Sequence, residues 1–154
     1  MTGRKPKFDP RRVITGIVAL VAACSVNYVG DKLLGQRIEL FYGLQTFNPI
    51  WFTQIFIVPA VAGIVGSLIF GLGGKWLAYF PPLIVRFIAY YESVYLLNVP
   101  DGASLMPMGW WGFFVILAME SAAIGGVFGE IINKRIYGRS PKARWYKGKN
   151  TNEA

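Results

Sequence analysis

Four apolar runs, residues 13–30, 51–72, 77–98 and 110–132, lie between two strongly basic ends. A water-soluble domain has no need of such runs. A bilayer core about 30 Å thick does, because a helix rising 1.5 Å per residue needs roughly 20 apolar residues to cross it. The pattern predicts an all-α integral membrane protein with four transmembrane helices. It divides the chain into a basic N-terminus at 1–12, one transmembrane domain at 13–132 and a basic tail at 133–154.

The charge distribution orients the helices. Five of the 16 Lys and Arg residues fall in 1–12 and seven in 134–154. Basic flanks stay on the cytoplasmic side, so both ends are expected inside and the number of spans is even. The segment 31–50 carries Asp31, Lys32, Arg37 and Glu39 with no net charge, and 99–109 carries only Asp101, as suits external loops. Lys75 falls in the short internal turn. The expected location is the cell inner (cytoplasmic) membrane, multi-pass.

Composition narrows the chemistry. The chain has no His and a single Cys, Cys24. The usual haem ligand, the commonest zinc ligand and the commonest general base are therefore missing. One cysteine makes neither an intrachain disulfide nor a thiolate cluster. No GxGxxG, Walker loop, HExxH or CxxC occurs. These features argue against an enzyme and against a bound cofactor or metal.

The runs differ in detail. A basic stretch before an apolar run is also the layout of a signal peptide, but 13–30 is long for one. Asn27-Tyr28-Val29 is not a small-residue cleavage site, so a retained helix is expected. In 31–50, Leu34, Ile38, Phe41 and Leu44 recur at helical spacing. That fits an amphipathic helix in the membrane interface, or a continuation of the first span. Trp51 and Phe52 open the second run as an interfacial belt, and Pro59 is expected to kink it. Asn27 and Gln54 lie near the outer ends of spans one and two, within reach of each other or of water. The third run starts near Trp76 or only at Pro82, because Pro81-Pro82 suits a first helical turn better than an interior one. Gly63, Ser67 and Gly71 in the second run, and Ser121, Gly125 and Gly129 in the fourth, recur every four residues. Small residues at that spacing let helix backbones approach closely.

Four charged residues lie within or at the edges of the runs: Arg86, Glu92, Glu120 and Glu130. A charge at the bilayer centre costs roughly 2.5–3.5 kcal/mol on insertion scales, so it needs a partner or a wet cavity. The start of the third run decides which carboxylate Arg86 meets. From Pro82 it matches Glu130, and from Trp76 it matches Glu120. Glu92, six residues from Arg86, lies on another helix face. It is open to a snorkelling, intersubunit or proton-binding role. Together these charges form either a packing ion pair or a polar path.

Arg135, Arg139, Lys142, Arg144 and Lys147 in the tail are expected to contact anionic lipid or a partner, and no nucleic acid is expected. The expected function is a small non-catalytic subunit of a larger inner-membrane complex, packed against membrane lipids and other integral membrane subunits. The second reading is a small oligomeric proton, ion or solute transporter component using Arg86, Glu92 and Glu120.

Overall fold

The computed structural model describes residues 10–137. The architecture is all-α, and three helices are long and apolar enough to cross a membrane: α1 (Pro10–Leu34), α2 (Pro49–Phe70) and α5 (Met108–Tyr137). Between α2 and α5 the backbone forms α3 (Gly74–Leu77), α4 (Phe80–Tyr91) and a π-helical turn over Glu92–Leu96.

The third apolar run is thus segmented and not one helix over 77–98. The Pro81-Pro82 pair sits in the first turn of α4, where its missing N–H groups cost nothing. Helical backbone nevertheless starts earlier, at Gly74. Ala78 and Tyr79, between the two helices, also hold right-handed helical angles.

The segment 31–50 does not form an interfacial helix. Helix α1 continues to Leu34 and stops at Gly35, whose φ of 65° is the left-handed conformation that glycine adopts without strain. The chain then turns inward, and Ile38, Glu39 and Leu40 are buried in succession. Three consecutive buried residues are incompatible with the single apolar stripe of an amphipathic helix. A two-residue strand, β1 (Leu40–Phe41), pairs antiparallel with β2 (Ser104–Leu105) and joins the two long loops. A 3-10 turn at Gly43–Phe47 leads to Asn48, whose side chain accepts from Trp51 N at 2.8 Å, with Pro49 next in the first turn. That is an N-cap followed by a proline that fits, and it fixes where α2 begins. Ile38, Trp51, Ile55, Met106 and Phe114 form an apolar cluster beneath these loops.

Helix α2 is central and packs most extensively against α5. The two run parallel, with a nearly constant offset. Ser121 Oγ donates to Phe56 O at 2.6 Å, and Asn133 Nδ2 donates to Ser67 O at 2.7 Å. Between these bonds the backbones meet. A Cβ at Gly63 would fall on the Ala122 carbonyl, and one at Gly125 on the Ala60 carbonyl. Gly129 lies against Ser67 and Ile64 in the same seam. Gly71 acts differently. At φ 85° it ends α2, its N–H bonded to Ser67 O. Helix α2 continues through Pro59 without a break in its helical assignment.

Candidate functional site

One end of the bundle holds the start of α1, the end of α2 and the start of α3. The other holds the long loops, and there the charges gather. Helix α4 is amphipathic: Pro82, Val85, Arg86 and then Ser93 of the π turn fall on its buried side. Arg86, wholly buried, is held by two carboxylates. Its Nη2 pairs with Asp31 near the end of α1, and its Nη1 lies 3.3 Å from Glu39 Oε1 in the loop that follows. Glu39 is held by the strand pairing, since its carbonyl accepts from Met106 N at 2.9 Å.

These three side chains line a cavity of about 250 Å³, together with Gln54 from α2 and Glu92 from the π turn. Lys32 Nζ lies 3.3 Å from Glu92 Oε2 in a partly exposed pair at its mouth. Arg37 Nη1 donates to Ser93 Oγ at 3.2 Å. Gln54 Nε2 donates to Gln36 O at 2.9 Å, while Gln54 Oε1 has no donor. Asn27, fully buried one turn before Asp31, has no hydrogen-bond partner for its amide. Asn27 and Gln54 thus do not hydrogen-bond each other, one of the two arrangements open from the sequence. A π turn widens the helix locally and often marks a working site. Here it carries Glu92 and Ser93, which engage Lys32 and Arg37.

The four charges singled out in the sequence are not one group. Arg86 meets neither Glu120 nor Glu130, because its buried face turns toward α1 and the loop. Glu92 shares the cavity with Arg86 but pairs with Lys32. Glu130 Oε1 accepts from Gly73 N at 2.8 Å and Lys75 N at 3.1 Å, closing the turn into α3. Glu120 stands on the exposed side of α5, and Tyr79 Oη donates to its Oε2 at 3.4 Å. Arg135 is exposed in the last turn of α5; Arg139, Lys142, Arg144 and Lys147 lie outside the described residues.

No protein-family model, curated protein or solved structure matches this chain.

Sequence reasoning missed Asp31 and Glu39 as partners of Arg86. The signal available was the neutral balance of 31–50, which fits charges satisfied by folding inward as well as it fits an external loop. Chemically, the cavity offers fixed carboxylates, an amide and a guanidinium. It can hold a polar or charged group.

Proposed function

We propose that the chain is a small four-span, non-catalytic subunit of a larger inner-membrane complex, with both ends on the cytoplasmic side. The observation that carries this reading is the exposure of Glu120. It lies ten residues from the interfacial Trp110, about 15 Å along the helix and half of a 30 Å core. A carboxylate facing lipid at that depth is costly, and Tyr79 alone among the described side chains answers it. Another membrane chain covering this face of α5 with a hydrogen-bond donor or a basic side chain removes that cost.

The fourth crossing is assigned to residues 74–96. This stretch begins beside Glu130 at the terminal end and finishes at the loop end, where Glu92 meets Lys32. Exposed Arg135 supports contact of the tail with anionic lipid, worth about 1 kcal/mol per basic residue near the surface.

Gentle detergent purification followed by native mass measurement tests the reading. Partner chains should co-purify, and Glu120→Lys should release them. A lone monomer, or an unchanged complex in that variant, removes the proposal.

A second reading, an oligomeric transporter component, is favoured by the cavity that Arg86 and Glu92 share. Purified protein in liposomes should then pass a proton, ion or small solute, and Glu92→Gln should alter the flux. Unaltered flux in that variant takes the cavity out of the path.

A further inference from the structure

The two ends of the bundle differ in how their charges are met. At the loop end the cavity is lined by three acidic and three basic side chains, Asp31, Glu39 and Glu92 against Lys32, Arg37 and Arg86. At the terminal end one sign is left over. Arg12 of α1, Lys75 of α3, and Lys134 and Arg135 of α5 are exposed. Among the described residues none of these four forms an ion pair; the pairs that do form are Lys32–Glu92, Arg86–Asp31 and Arg86–Glu39. Glu130 does not offset them, because it is buried and accepts from Gly73 N and Lys75 N.

Two of these cations are held in place. Arg12 Nη2 donates to Leu72 O at 3.4 Å, and its guanidinium lies 5.6 Å from the centroid of the Phe70 ring. That seats Arg12 against the turn between α2 and α3. Lys75 stands at the far side of the same turn. Its backbone is fixed by Glu130, and its ammonium lies 5.5 Å from the centroid of the Trp76 ring. A guanidinium has five N–H donors, so most of those on Arg12 are left over after Leu72 O is met. Exposed apolar side chains adjoin both cations in the chain: Ile14 follows Arg12, and Trp76 follows Lys75.

We propose that Arg12 and Lys75 form a site for the headgroup of one anionic phospholipid, with its phosphate between the two cations and its acyl chains along Ile14 and Trp76. A phosphate diester supplies the negative charge and the acceptor oxygens that both cations lack. The acyl chains cover the neighbouring apolar surface. Cations already held by the protein lose little freedom when the lipid arrives. An acidic protein surface is disfavoured, since it would answer the charges and leave Ile14 and Trp76 uncovered. The site rests on the membrane reading above and places the lipid contact on the folded bundle as well as on the tail.

The test is native mass measurement of the delipidated full chain in mild detergent at constant ionic strength. Phosphatidylglycerol and phosphatidylcholine are the probes. The first phosphatidylglycerol should bind more tightly than the first phosphatidylcholine by about tenfold or more. Arg12→Gln with Lys75→Gln should remove that preference, with the thermal midpoint reporting whether the fold is kept. If the double variant does not fold, Lys75→Gln decides alone. Changing Arg139, Lys142, Arg144 and Lys147 together to Gln should leave the first affinity unchanged and weaken only later steps.

The proposal is overturned by equal binding of the two lipids, or by an unchanged first affinity in the Arg12 and Lys75 variant. A run of equally weak phosphatidylglycerol steps with no preferred first one also overturns it, because the cations then act only as a diffuse field. So does loss of the first lipid in the tail variant, which would leave the tail contact standing without this site. Displacement of the lipid by inorganic phosphate at the same concentration would show a soluble anion to be the ligand and overturn it as well. None of these outcomes bears on the subunit reading, which rests on Glu120 and is judged by co-purification.

Discussion

Arg86 Nη1 lies 3.3 Å from Glu39 Oε1, and both side chains are about 1% exposed. With Asp31 on the other side of the guanidinium, the pair ties α4 to α1 and to the loop between α1 and α2. Burying an ion cluster is not in itself stabilising, because desolvation offsets much of the attraction. Removing one member is another matter, since the remaining charge stays buried and unanswered.

Arg86→Met should therefore destabilise the protein by about 3–5 kcal/mol. The triple variant Asp31→Asn, Glu39→Gln, Arg86→Met should recover much of that loss. Lys32→Ala, at the partly exposed mouth pair, should cost only about 0.2–1 kcal/mol. Denaturant unfolding in detergent, followed by tryptophan fluorescence, measures all three. Equal losses for Arg86→Met and Lys32→Ala would refute the distinction between buried and exposed pairs.

Gly63→Ala and Gly125→Ala should each separate α2 from α5, because the added methyl falls on a backbone carbonyl that cannot rotate away. Gly112→Ala meets nothing within 4 Å and should be neutral or stabilising by up to about 1 kcal/mol through helix propensity. The comparison is a thermal melt of the three variants. A Gly63→Ala midpoint no lower than that of Gly112→Ala contradicts the close-packed seam.

Glu130→Ala should loosen the turn into α3. It leaves the Gly73 and Lys75 N–H groups without their acceptor, at about 1–3 kcal/mol for each group that water cannot reach. Glu130→Gln keeps a carbonyl oxygen in place and should lose less. Hydrogen exchange at Gly73 and Lys75 reports this directly, with faster exchange in the alanine variant than in the glutamine variant. Equal protection in both would detach Glu130 from the turn.

Topology can be read with a single cysteine. In a Cys24→Ser background, Leu44→Cys, at a fully exposed loop position, should react with a membrane-impermeant thiol reagent added outside spheroplasts. Lys134→Cys, in the last turn of α5, should react only after the membrane is opened. The reverse pattern inverts the proposed orientation.

Much of the fold was legible because membrane physics writes itself into long apolar runs. Residues 13–30, 51–72 and 110–132 all fall within or close to α1, α2 and α5. The four-residue spacing of Gly63 and Ser67, and of Ser121, Gly125 and Gly129, marks the α2–α5 seam for the same reason: helical period puts those residues on one face. Gly71 shares the spacing but not the role, because spacing does not reveal a left-handed φ.

The sequence by itself determined three of the apolar helices, though not the segmented course of residues 77–98, together with the basic ends and the need of Arg86, Glu92, Glu120 and Glu130 for partners. Only the tertiary structure decided who those partners are. Depth arithmetic compares positions along helix axes, and on that scale Arg86 could meet Glu120 or Glu130. Rotation about the axis and the path of the loop set the outcome instead. Arg86 faces α1, the chain after Gly35 folds inward, and Glu39 arrives beside it from 47 residues away. A pairing across that separation depends on tertiary packing, which leaves no periodic trace in the chain.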